Sequence, residues 1–138
     1  MAVRGRPLGP KDRALVRAAE RTLRRGYDRD RHTVAAAVRT RSGAVYVGLN
    51  LNGIHTPCAE PVALGAAVTH GDRDVELMVA VYKDGARYGV LSPCGTCRQL
   101  LLDYAPHGSV IVRFPSGRVA RLSADESLPA AYRTFEDE

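Results

Sequence analysis

Apolar positions along this 138-residue chain recur with two different periods, and the switches between them mark the elements. From Pro10 onward, Leu15, Ala18, Ala19, Thr22 and Leu23 fall on one helical face, with proline suited to the first turn and Gly26 able to close the helix. Tyr27 to Arg31 is a charged loop. "TVAAAVRT" and "AVYVGL" then read as strands around the tight turn Arg41-Ser42-Gly43, which predicts an antiparallel hairpin. The small residues Ala35 to Ala37 leave room for helices to approach the sheet. Past a loop at 50–57, Val62, Leu64, Ala66, Ala67 and Val68 suit a buried helix that Gly71 ends. Pro61 is tolerable only in a first turn, so that helix must begin near Cys58.

"VELMVAVY" is apolar on both faces, the mark of a strand covered on both sides. After a turn at Asp84-Gly85 and a loop, "CGTCRQLLLDY" predicts a helix with Cys97, Leu100, Leu101 and Tyr104 on one side, broken by Pro106 and Gly108. "SVIVRF" and "RVARL" are two further strands, and Ser123 with Glu126 forms a capping box for a short last helix. The order predicts a three-layer α/β/α sandwich around a mixed five-stranded sheet. Only Pro115-Ser116-Gly117 joins the last two strands. Three residues cannot make a parallel crossover, so those strands must run antiparallel. One domain spans residues 1–138, with 1–9 expected to be a flexible amino-terminal segment.

Composition narrows the function classes. The length suffices for a core without disulfides or a structural metal. No apolar run approaches the roughly 18 residues of a membrane span, and the amino terminus lacks the apolar stretch of a secretory signal. A cytoplasmic protein is expected, and there three cysteines are reduced thiols suited to metal or catalysis. The net charge of +5 is local: residues 1–31 carry +6 and the remainder −1. A solvated basic helix face accounts for it; a groove for a polyanion is the other reading.

The candidate chemistry sits in "HTPCAEP" and "SPCGTCRQ". Both segments place cysteine where a loop turns into a helix, and helix amino termini stabilise thiolates. Two such termini facing each other would gather Cys58, Cys94 and Cys97. Three thiolates and an open fourth position describe a catalytic zinc site, whereas a structural site is closed by four ligands. The open position would hold water made acidic by the metal, within reach of Glu60 as proton shuttle. Competing readings are a dithiol redox pair, which leaves Glu60 idle, and a closed zinc site completed by one of His32, His55, His70 or His107. Cys58 could also be a buried small apolar residue, a reading weakened by the paired motif.

At these residues the sequence resembles the cytidine deaminase superfamily, whose zinc members show H-x-E, or C-x-E, followed by P-C-x-x-C. Cys58-Ala59-Glu60 and Pro93-Cys94-Gly95-Thr96-Cys97 match that pair. Arg98-Gln99, Gly43, Gly48-Leu49-Asn50, "LLLDY" and Leu128-Pro129-Ala130-Ala131-Tyr132 are similar to blasticidin-S deaminase and the small homotetrameric cytidine deaminases. The resemblance implies hydrolytic removal of an amino group from a pyrimidine-type ring, with one zinc per subunit and Glu60 as general acid–base. It further implies backbone contacts from Ala59 and from Pro93 to Cys94, and polar contacts from Asn50 and Asn52. His32 would stand where relatives flank the base with an aromatic. Tyr132 and Phe135 would lie on a tail that helps close a pocket, and a homo-oligomer, most simply a tetramer, is expected.

The chain departs from its cytidine-specific relatives at three places. Pro61 stands where many have an arginine that relieves thiolate charge, a task left to Arg98 and the helix termini. Asn52 stands where they have a glutamate for a ribose hydroxyl, and the loop from Asn50 to Cys58 is shorter. A blasticidin-S-like or modified aminopyrimidine therefore fits better than cytidine. Nucleic-acid editing fits poorly: editors run their last strands parallel, and few aromatics are present for stacking bases. A non-catalytic zinc protein would not need Glu60.

Overall fold

The structure, a computed structural model, describes residues 3–134. Helix α1 (Pro10–Gly26) begins and ends at the proline and glycine that predict it. Strands β1 (Val34–Thr40) and β2 (Val45–Leu49) form the expected hairpin. Helix α2 (Ala59–Thr69) starts with Cys58 as its N-cap, so Pro61 does fall in the first turn. Strand β3 (Val75–Asp84) is followed by β4 (Arg87–Leu91), and α3 (Gly95–Tyr104) has Cys94 as its N-cap. Strands β5 (Ser109–Arg113) and β6 (Val119–Ser123) are antiparallel, as their short connection requires. The capping box of Ser123 and Glu126 opens α4 (Ala124–Ser127).

One mixed sheet runs β2-β1-β3-β5-β6, with β4 also paired to β3. Its six strands among the described residues correct the expected five. The missing one is β4, read as loop because it is short and interrupted by Gly89, a residue that weakens strand signals. Strand β3 is long enough to divide its second edge. Leu77 and Met78 pair in parallel with Ser109 and Val110 of β5, and Ala80 to Asp84 pair antiparallel with Leu91 to Arg87 of β4.

The sheet separates two cores. Ala35 and Ala37 join Leu15, Ala19 and Leu23 beneath α1, while Ala36 and Val38 join Ala63, Ala67 and Leu101 beneath α2 and α3. Alanine on both faces of β1 lets α1 and α2 approach closely from opposite sides. At Gly48 of β2 a Cβ would lie 2.6 Å from the Ala63 backbone nitrogen of α2. On α3 the buried residues are Cys97, Leu101 and Leu102. Tyr104, expected on that face, is exposed, because the helix turns Leu102 inward instead. The segment before α1 is not loose at Arg6, whose backbone pairs both ways with Arg121 at 2.8 Å.

A buried charge cluster ties α1 to the sheet. Asp12, in the first turn of α1, accepts from the Gly9 backbone N–H at 3.0 Å and from Arg39 and Arg121 at 3.3 Å. Arg39 also donates to Glu76 at 2.9 Å. Burial of Asp12 opposes ionisation, yet these donors outweigh it and hold its carboxyl below the ordinary 3.8. Removing one partner of a buried ion pair leaves the others uncompensated. Asp12→Ala should therefore lower unfolding free energy by about 3 kcal/mol in urea titrations at neutral pH. A group with a depressed folded pKa contributes fully above its unfolded value and loses that contribution as pH falls through the folded one. The gap between variant and wild type should accordingly close below about pH 4.

Candidate active site

Register explains why two distant cysteine motifs meet. Gly48 of β2 pairs with Ala36 of β1, Ala36 with Ala80 of β3, and Ala80 with Leu91 of β4. One rung thus crosses four strands, and at its two ends lie the strands that feed α2 and α3. Each chain leaves the sheet within a residue of that rung and reaches its helix through an N-cap cysteine. Cys58 (φ −64°, ψ 166°) and Cys94 (φ −67°, ψ 170°) have extended backbones, and neither spends its side chain on capping. At Cys94 the N–H groups of Thr96 and Cys97 point toward the sulfur.

The three Sγ atoms lie within 4.8 Å of one another, with Cys58 and Cys94 at 3.9 Å. Zinc–sulfur bonds of about 2.3 Å in tetrahedral array place sulfurs about 3.8 Å apart, so the cluster matches a zinc site. Cys58 and Cys94 face solvent, whereas Cys97 is buried. Glu60, in the first turn of α2, is only 4% exposed, and its Oε2 accepts from the Cys97 thiol at 3.6 Å.

The electrostatics point the same way. Burial, then the Glu60 carboxylate, pushes the Cys97 thiol far up, and burial also raises Cys58. At Cys94 burial opposes ionisation, but the Cys97 and Thr96 N–H groups and neighbouring thiols outweigh it and lower the pKa. Burial raises Glu60 as well, against the pull of its own backbone N–H and the Cys97 thiol. Three thiols and a carboxyl cannot all ionise this close together without a cation among them. A divalent metal there would be held by the three sulfurs as thiolates, with the Glu60 carboxyl alongside.

A pocket of about 370 Å³ opens onto Cys58, Cys94 and Glu60. Val34, Pro57 and Leu91 supply apolar wall, and Asn50, Asn52, Thr56 and Ser92 supply polar groups. Ala59 lies on the wall too. Pro93 is behind it, its carbonyl accepting from Arg98 Nε at 2.8 Å. Arg98 also donates to the Ser127 carbonyl at 2.9 Å, so it braces the loop before Cys94 against α4; its bonds run to carbonyls and not to sulfur.

Asn50 is fully engaged. Its Oδ1 accepts from the N–H groups of Thr33 and Val34 at 2.8 and 3.0 Å, and its Nδ2 donates to Thr33 Oγ1 and Asn52 Oδ1 at 3.3 Å. Asn52 donates once, to the Asp30 carbonyl at 3.2 Å, and keeps polar capacity for the pocket. His32 is not on this wall; its Nδ1 meets the Asn50 carbonyl at 2.8 Å and fixes the rim from behind. Tyr132 is 77% exposed and borders a different cavity with Gln99 and Asp103. Phe135 lies outside the described residues. Sequence reasoning passed over Ser92, whose Oγ donates to the Arg113 carbonyl and accepts from the Arg113 N–H, pinning the end of β4 to β5. Its place directly before Pro93 was the available signal.

Comparison with known proteins agrees with this geometry. Residues 10–113 match the family model for the cytidine and deoxycytidylate deaminase zinc-binding region. Blasticidin-S deaminase of Bacillus cereus is 34% identical over 91% of this chain and 94% of its own length. Cytidine deaminase of Halalkalibacterium halodurans is 35% identical over 78% of this chain and 81% of its own. The crystal structure of cytidine deaminase from Burkholderia pseudomallei superposes with a TM-score of 0.71 at 30% identity, covering 87% of this chain and 98% of that one. Paired cysteine motifs, the buried glutamate between them and relatives of matching length converge: the chain belongs to the cytidine and deoxycytidylate deaminase family and is a zinc-dependent aminohydrolase.

Proposed function

We propose that the protein hydrolytically deaminates an amino-substituted pyrimidine of the blasticidin-S type, with Cys58, Cys94 and Cys97 as zinc ligands and Glu60 as proton shuttle. The observation that carries this reading is the buried Glu60 carboxyl held 3.6 Å from Cys97 on the lining of the pocket. When bound, zinc supplies a water with a pKa lowered toward neutrality. Glu60 takes the proton that water gives up as it adds to the amino-bearing ring carbon, and delivers it to the adjacent ring nitrogen. A second transfer through Glu60 converts the amine to ammonia as the carbon–nitrogen bond breaks. The desolvation that raises Glu60 suits a group that must hold a proton between the two transfers.

Glu60→Gln should keep the fold and bind one zinc per chain, because the amide fills the same space and no ligand is lost. Turnover should fall by about 10²–10⁴-fold, the usual worth of a general acid–base. Zinc content by mass spectrometry and ammonia release on blasticidin S check both halves. A wild-type rate in a zinc-loaded variant would refute the role of Glu60.

The substrate class rests on the polar rim. Asn52 is neutral and partly engaged, Asn50 is wholly engaged, and neither offers the charged acceptor that a ribose hydroxyl rewards most. Likeness to blasticidin-S deaminase over nearly the full length of both chains favours the same class. Cytidine should therefore be a weak substrate. Measured as kcat/KM over aminopyrimidines differing only in the substituent on the ring nitrogen, cytidine should trail blasticidin S by about tenfold or more, the loss expected when a hydroxyl finds no strong partner. If cytidine leads by a wide margin and Asn52→Ala abolishes that lead, Asn52 recognises ribose and the assignment fails.

A further inference from the structure

The sheet has a second cleft, on the face away from the cysteines. It lies between α1 and the β1–β2 hairpin and encloses about 470 Å³, more than the pocket over the cysteines. Its charged lining is Lys11, Arg21, Arg39 and Arg41 against the single acid Glu76. That acid is already taken by Arg39 Nε at 2.9 Å, and Asp12 by Arg39 Nη2 at 3.3 Å. The third guanidinium nitrogen, Nη1, is buried and has no partner among the described residues, although Arg39 is only 8% exposed. Lys11 and Arg21 make no ion pair among the described residues, while Arg41 is divided between Asp74 and the His107 carbonyl. Ala14 and Ala18 give the cleft an apolar floor, and Val45 reaches its edge with nearly half its surface exposed.

From this arrangement we propose that the cleft binds a small phosphate ester. Cations on three sides with their acids already spent match a dianion better than a single carboxylate, and guanidinium forks suit phosphate oxygens. The apolar floor suits the organic body. The concave outline, bordered on one side by the hairpin, suits a small molecule better than a strand of nucleic acid. The site also accounts for basic residues of α1 that the deaminase reaction does not use.

The test is titration of the zinc-loaded full chain with phenyl phosphate, inorganic phosphate, benzoate and an RNA oligomer, followed by amide NMR shifts and calorimetry. Phenyl phosphate should bind saturably and more tightly than the other three, shifting Ala14, Ala18, Gly43 and Val45. Lys11→Ala/Arg21→Ala should weaken it about tenfold or more, as loss of charge-assisted hydrogen bonds requires, with deaminase activity unchanged. Should the double variant unfold, Val45→Glu, at an exposed hairpin position, should give the same loss. A non-saturating response, benzoate binding as tightly as phenyl phosphate, undiminished affinity in the variants, or tighter binding of an RNA oligomer would each overturn the proposal.

Discussion

A short rung of paired backbone, from Gly48 through Ala36 and Ala80 to Leu91, sets the distance between the two halves of the catalytic centre. Adjacent strands lie about 4.8 Å apart, so the strands at its ends are separated by roughly 14 Å before the chain turns. The loops at 50–57 and 92–93 then bring both helix N-caps inward until the Cys58 and Cys94 sulfurs are 3.9 Å apart. Small residues make this possible. Bulk at Gly48 would push against the Ala63 backbone and lift α2, and with it Cys58 and Glu60, off the sheet. Packing therefore fixes the position of the chemistry before any metal is bound.

The same convergence creates an electrostatic demand. Burial raises Cys97, Cys58 and Glu60 together, and the helix N–H groups that lower Cys94 can stabilise only part of the charge that ionisation would create. A divalent cation would resolve the conflict for the thiols, with the buried Glu60 carboxyl alongside. A buried carboxyl next to a metal-activated water is costly in a purely structural site and useful in one that moves protons. Pro61 follows Glu60 in the first turn of α2, and Arg98 is committed to the Pro93 and Ser127 carbonyls.

Much of this was legible in the sequence, for reasons that differ from element to element. Pro10, Pro61 and the glycines punctuate helices by backbone geometry alone, so α1 and α2 begin where proline allows. The three-residue link at 115–117 dictated antiparallel β5 and β6 through chain length. The zinc motif was readable because metal ligation demands particular atoms at particular spacings. Strand β4 was not, since its pairing comes from the length of β3 and not from its own pattern. The rim was harder still. Asn50 stood out as a substrate contact, but its amide serves the backbone of Thr33 and Val34, and His32 serves Asn50. Tertiary hydrogen bonds of this kind leave no periodic trace, and Tyr132 stands exposed although Ala131 beside it packs on the core and Arg133 pairs with Asp125.

The central claim is that three thiolates hold a zinc ion whose fourth position is open to water. Zinc K-edge X-ray absorption on the protein as purified reads that coordination sphere directly. The account predicts three sulfur scatterers at about 2.3 Å and one oxygen at about 2.0 Å. Four protein ligands, whether a fourth sulfur or a histidine nitrogen in place of the oxygen, would close the site and contradict it.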